Sequence, residues 1–501
     1  MGRGFAGASV LGLEAGRATR ALFLAAALLI VFSILIRAIN HDEGQYVAAI
    51  AMMRHGWPYL DFAYLQTPLQ PLLLSPLSLL PAGWLLVAAR AANGLFALAT
   101  LALVYSAVRT RVEPRSALIA IAAFGCTEAF LLASSLARND ALPMLLIAGT
   151  IVALLRAVDR KSDAAALAIA GLLLGLATSA KINAAMPAAG AALFVLLRAR
   201  RFGLDGVNAF GLGALVGLVP MAALALAAPD RFHFGVFTYS LQAPQQWWAA
   251  VGRAADLDPL NRLGNVIALA FRGATPFAVA AAAIDRRRSD ERLLLDLMIV
   301  GGLIGAYLPE PPFTQYLVPL LPALFARFAL ALDGPSRGWH RPILILAVIG
   351  SISGLAYTGV HAARTIKRGG SDLVFAVEQG REVARLAAGR PIATLSPEAF
   401  AGADTNIEAG FVTGPFLFRT SNELSAEVLR LGSSPNWQRI DRALNARPPA
   451  VIVTGREAKR WPPLFPAGLD APMIAWAQAH GYARVPLPGS STAFVRPSLV
   501  R

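Results

Sequence analysis

The sequence predicts a polytopic α-helical membrane protein, about eleven transmembrane helices followed by an extracytoplasmic α/β domain. Three observations lead there. Of 501 residues, 56% are hydrophobic and only 15% charged, where a soluble domain carries about 25% charged residues. Mean hydropathy is +0.56. The apolar residues also come in long unbroken blocks, the pattern of helices that must satisfy their backbone internally in lipid.

Taken in order, blocks able to span about 30 Å of hydrocarbon lie at 21–39, 84–107, 116–134, 141–157, 164–180, 184–198, 206–228, 263–283, 292–308, 314–333 and 342–359. The first lacks a small-residue cleavage site after it and reads as a retained helix. The stretch 66–81 is apolar too, but Pro68, Pro71, Pro76 and Pro81 make it a surface-lying or re-entrant segment. Charge tests that choice. With the N-terminus inside, the inner connections hold Arg109, Arg111 and Arg115; Arg156, Arg160 and Lys161; Arg198, Arg200 and Arg201; Arg286, Arg287, Arg288 and Arg292; and Arg337 and Arg341. That is fifteen basic residues, against seven in the outer connections, the positive-inside pattern. A span at 66–81 would invert every later loop.

The net charge of +15 therefore reports membrane orientation rather than nucleic-acid binding, because its arginines fall in short clusters between apolar blocks. The single cysteine, Cys126, lies in an apolar run and forms no intrachain disulfide. The reading is a multi-pass protein of the cytoplasmic membrane: 1–359 is the membrane domain, with long outer loops at 40–66 and 229–262, and 360–501 an extracytoplasmic domain. The second loop, with FHFGVFTYSLQAPQQWW, suits the headgroup layer, as an aromatic belt or as a binding element. After Tyr357 charged, apolar and turn residues mix. Helices fit 371–388, 423–431 and 471–480, and strands fit 391–395 and 450–455.

Candidate chemistry collects at the outer rim. His41-Asp42-Glu43-Gly44-Gln45-Tyr46 follows the first helix. Adjacent carboxylates at a membrane boundary are costly without work or partners, although Asp42 could simply N-cap a helix beginning at Glu43. Arg138-Asn139-Asp140, Lys181-Ile182-Asn183 and Glu310 to Tyr316 fall on the same side, and Arg90 and Arg272 enter apolar helices from it. Acids beside Lys and Arg suit a reaction in which a hydroxyl is deprotonated while a phosphate departs.

The loop HDEGQYVAAIAMMRHGWPYLDFAYLQTPLQP resembles the Asp-Glu loop of polyprenyl-phosphate-dependent glycosyltransferases of the GT-C superfamily, nearest to aminoarabinose transferases and protein O-mannosyltransferases. Arg90, Asp140, Lys181 and QYLVPLLP (315–322) match further family positions in order, and the resemblance covers roughly 20–330. Two departures leave sugar and acceptor open: Thr67-Pro68-Leu69-Gln70-Pro71 replaces Pro-Pro-Leu, and Ile182-Asn183 follows the lysine.

The resemblance implies transfer of a monosaccharide from a polyprenyl-phosphate donor to a lipid, glycan or protein acceptor of the cell envelope, with inversion. Asp42 would be the general base, supported by Glu43 and Asp140. Arg90, Arg138, Lys181 and Arg272 would hold the donor phosphate, and Tyr46, Tyr64, Glu310, Gln315 and Tyr316 the rest of the substrate. No metal is required, although the acids could hold a divalent cation. The rival readings are a transporter or flippase, a lipid-linked polymerase or ligase using a diphosphate carrier, and a scaffold for the C-terminal domain. A transporter would show internal repeats or broken midplane helices, and the sequence shows neither.

Overall fold

A computed structural model describes residues 4–160, 163–333, 338–420, 440–459 and 464–499. The helix expected at 423–431 lies outside the described residues, as do Lys161 and Arg337. The chain is a membrane-embedded, multi-pass helical protein with a small C-terminal sheet. Every apolar block read from the sequence is helical. By length and composition six helices can cross a membrane, or eight if each of two bent pairs is one span. The pairs are Pro114–Gly125 with Glu128–Ser135, bent by 63°, and Pro259–Ala270 with Thr275–Ile284, bent by 99°. The count of eleven draws also on Ala164–Ala180 and Ala185–Leu197, which are shorter, and on Asp290–Tyr307, whose first turn carries two acids. Residues 69–79 make two short helical turns packed on the helix His41–Met52, not a span.

Small residues let the helices approach closely. A Cβ on Gly171 would sit 1.9 Å from the carbonyl oxygen of Phe210, so only glycine permits the contact between Ala164–Ala180 and Ala199–Ala227. One face of the bundle is tied by arginines. Asp285, 4% exposed, receives Arg287, Arg292 and Arg327 at 2.6, 3.1 and 2.9 Å, and Asp290 receives Arg198 and Arg201.

The opposite face carries the C-terminal domain. The helix His340–Lys367 runs past the boundary expected at 359 and ends before Gly369 and Gly370, both of positive φ. Strands β1 (Pro391–Thr394), β2 (Asn406–Ile407), β3 (Val451–Thr454), β4 (Ala483–Pro486) and β5 (Thr492–Val495) form one sheet in the order β2-β1-β3-β5-β4. β1 is parallel to both β2 and β3, and β5 antiparallel to β3 and β4. Helices Asp372–Ala387 and Ala471–Ala479 accompany it.

The domain is seated tightly. Ala403 N–H donates to the Leu80 carbonyl at 2.8 Å, Ala82 N–H to Asp404 at 2.8 Å, and Arg54 to the carbonyls of Gly402 and Ala403. Gly83 takes φ 77°, and a Cβ there would lie 2.6 Å from the Ala376 carbonyl. One buried apolar cluster passes from Val47, Ile50 and Leu85 of the membrane part to Ala376, Ile392 and Val451 of the domain. The aromatic loop joins in: Trp247 is buried with its ring 5.9 Å from Phe465.

Candidate active site

The helix His41–Met52 begins with a capping box. Asn40 accepts from Asp42 N–H at 2.8 Å, and Glu43 accepts from Asn40 N–H at 2.9 Å. Asn40, not Asp42, is therefore the cap, and the Asp42 side chain is free for other work.

Glu43 is not. Its Oε1 accepts from Arg90 Nε at 2.8 Å and from Ala137 N–H at 2.7 Å, and its Oε2 from Arg90 Nη2 at 2.6 Å. The remaining Arg90 donors go to the carbonyls of Ile34, Arg37 and Ala38. A guanidinium has five N–H groups, and all five are taken, with both side chains fully buried. This pair stitches the helices Gly4–Ile36, His41–Met52 and Trp84–Val108 to the turn at 136–138. Arg90 consequently has no donor left for a phosphate, contrary to the expected role.

The remaining acids and bases converge. Arg138 bridges two carboxylates: Nε donates to Asp140 at 3.0 Å and Nη1 to Asp42. Lys181 pairs with Asp140 and lies 5.5 Å over the Tyr316 ring. The bridge is held from behind, since Asn93 and Gln70 donate to the Arg138 carbonyl at 2.6 and 3.0 Å. Asp140, Arg138 and Lys181 are buried, whereas the Asp42 side chain keeps 19% exposure, so it is the member open to a substrate. Burial alone would raise the Asp42 carboxyl, but Arg138 and His41, whose Nε2 stands 3.1 Å away, outweigh it and hold it well below the usual carboxylate range. Burial depresses the Lys181 ammonium, with Asp140 opposing. Tyr46 is within electrostatic reach of Arg138, Asp140 and Asp42, its hydroxyl pushed up by burial, and its ring is 6.4 Å from Tyr64.

Three expected residues lie elsewhere. Arg272 stacks 4.8 Å over Tyr357, near a second buried pair, Arg37 with Glu128 at 2.8 Å. Glu310 is paired with Arg262 and accepts from Gln245 at 2.6 Å, so it fastens the loop 229–262. Gln315 is buried, and among the described residues no hydrogen bond joins it to the four converging groups. The sequence displays His41 without assigning it a role, and gives no sign of Arg419. That arginine ends the short helix Pro415–Arg419 of the C-terminal domain and acts electrostatically on both His41 and Asp42. No local motif marks it. Among the described residues, no group of three or more His, Cys, Asp or Glu is arranged to hold a metal ion.

Residues 66–225 match the family described as dolichyl-phosphate-mannose-protein mannosyltransferase. The crystal structure of ArnT from Cupriavidus metallidurans in the apo state is similar over 97% of this chain and 99% of that one, with TM-score 0.60 at 14% identity. The fold is that of the GT-C glycosyltransferases. The resemblance read from the motifs is thereby borne out, and a transporter is not favoured. ArnT from the same organism bound to undecaprenyl phosphate is equally similar to this chain: 14% identity, TM-score 0.60, over 96% of this chain and 98% of that one. No curated protein matches the sequence.

Proposed function

We propose that the protein is a membrane glycosyltransferase that moves a monosaccharide from a polyprenyl-phosphate donor to a hydroxyl of a cell-envelope acceptor. One observation carries the reading. Asp42, Arg138, Asp140 and Lys181 come from three separate segments of the chain and meet in a single ion network at the rim beneath the C-terminal domain. Four charges of both signs held together at that depth are costly unless they serve a reaction. The undecaprenyl phosphate bound by the similarly folded ArnT supports a donor of that class.

In this reading the acceptor oxygen attacks the anomeric carbon, the bond from that carbon to the phosphate oxygen breaks, and the configuration inverts. Asp42 takes the acceptor proton. Lys181 and Arg138 stabilise the charge that collects on the departing phosphate. Before substrate binds, Arg138 makes Asp42 a weak base. A donor phosphate drawing Arg138 and Lys181 toward itself loosens that grip and raises the basicity of Asp42 when it is needed. Positive charge beside the leaving phosphate comes from the protein, so the step needs no divalent cation, and chelation with EDTA should leave transfer unchanged. The excess of basic residues on the face opposite the domain supports a cytoplasmic N-terminus and an extracytoplasmic C-terminal domain in the cytoplasmic membrane. The Gly369-Gly370 pair that follows the helix His340–Lys367 supports a division between membrane part and domain a few residues beyond the expected one.

The test is Asp42→Asn in membranes supplied with labelled polyprenyl-phosphate sugar. Transfer should fall by about 10²–10⁴-fold while the protein remains folded. Undiminished transfer overturns the base assignment. Labelled substrate crossing the membrane without any transfer would favour the transporter.

A further inference from the structure

Beside Asp42, one cation among the described residues has no carboxylate paired with it. Asp42 and Asp140 are balanced by Arg138 and Lys181, and Glu43 is closed off with Arg90. Arg419 remains. Among the described residues no carboxylate forms an ion pair with it, and its Nε is buried without a hydrogen-bond partner. Its guanidinium lies 5.2 Å from the Trp247 ring and 4.8 Å from the Phe416 ring, with the His41 ring a further 5.6 Å from Phe416. Tyr239 is within electrostatic reach of it. Glu457 of the same domain is within electrostatic reach of Arg419, His41 and Asp42, but burial pushes that carboxyl up to about 7, which weakens it as a counter-ion.

Aromatic faces fix the plane of a guanidinium and leave its N–H edge for an oxyanion. The domain that carries it is fastened by backbone contacts at Leu80 to Gly83, so Arg419 is presented from a fixed wall.

We propose that Arg419, supplied by the C-terminal domain, is a substrate-binding residue that holds an oxyanion of the substrate pair beside Asp42. This rests on the transferase reading. The oxyanion belongs either to the donor phosphate or to an anionic group of the acceptor, and two measurements separate them. One is binding of undecaprenyl phosphate to the full-length purified protein. The other is transfer from a labelled polyprenyl-phosphate sugar to endogenous acceptor in membranes.

Losing one charge-assisted contact should cost about tenfold or more. If Arg419→Ala weakens undecaprenyl phosphate binding by that factor and Arg419→Lys restores part of it, the donor phosphate is the ligand. If binding is unchanged but transfer falls tenfold, with partial rescue by lysine, the acceptor carries the anion. Wild-type binding and transfer in Arg419→Ala overturn the proposal. Where the alanine variant unfolds, Arg419→Gln is compared with Arg419→Lys, and a glutamine variant equal to wild type overturns it as well. Asp42→Asn and Lys181→Ala are measured alongside. If both keep full transfer, the transferase reading itself fails. If both lose transfer while Arg419→Ala does not, only the role of Arg419 is wrong.

Discussion

Glu43 and Arg90 hold each other by two hydrogen bonds of 2.8 and 2.6 Å, with neither side chain exposed to solvent. The Asp-Glu pair thus divides into one residue that builds the site and one that faces the substrate. Removing one member of a buried pair leaves the other charge without compensation, at a cost of about 3–5 kcal/mol. Arg90→Ala and Glu43→Ala should therefore lower the unfolding temperature of the purified protein sharply, and the double variant Glu43→Leu/Arg90→Leu should be less damaged than either. A stable single variant that had lost only phosphate binding would show that Arg90 serves the donor after all.

Lys181 occupies a different position in the energy balance. It pairs with Asp140 but is not woven into the backbone of several helices. Lys181→Ala should lower transfer by about 10²-fold or more through lost stabilisation of the leaving phosphate and weaken binding of undecaprenyl phosphate. Lys181→Arg should retain part of both. Measuring the affinity for undecaprenyl phosphate beside the transfer rate checks the assignment, and unchanged affinity in the alanine variant would contradict it.

Much of this is legible in the sequence. Apolar blocks and loop charge mark the helices and their faces, because lipid leaves the backbone no other choice. Asp42, Asp140 and Lys181 stand out because ionisable groups at a membrane boundary are rare. Partnership is what the sequence conceals. Nothing local says that Arg90 spends all its donors on Glu43 and three carbonyls, nor that Asn40 takes the capping role open to Asp42. Arg272 and Glu310 share the face of the site, yet each is committed to a neighbour of its own, Tyr357 and Arg262. Arg419 lies far along the chain in a domain with no motif, and only the docking brings it to His41.

That docking is itself testable at Gly402. A Cβ there would fall 2.1 Å from the Ala82 backbone nitrogen, a clash with main chain that no side-chain rotation relieves. Gly402→Ala should displace the domain from the turn at Pro81 to Gly83, lowering both unfolding temperature and transfer while leaving the helical content nearly intact. Protease susceptibility of the C-terminal domain provides the direct readout, and wild-type protection would show that the seat tolerates the methyl group.

The domain interface also makes stability depend on pH, and the sign follows from its carboxyls. Burial pushes Glu398 up to about 8 and Glu457 up to about 7, from 4.5 in the unfolded chain. Asp470 moves the same way, to about 6. A carboxyl whose folded value lies above its unfolded value favours the fold in its neutral form. That contribution is complete below the unfolded value and is lost as pH rises through the folded one. Raising pH from about 5 to about 9 should therefore lower the unfolding temperature. Glu398 has an unpartnered, buried Oε2 and sits against Gly44 at the junction with the helix His41–Met52. Its ionisation pushes on the segment that carries Asp42. Glu398→Gln removes that ionisation, so the fall in unfolding temperature across this pH window should become shallower, and the variant should match or exceed wild type at the alkaline end. An unaltered slope would mean that Glu398 does not titrate in the folded protein as its burial requires.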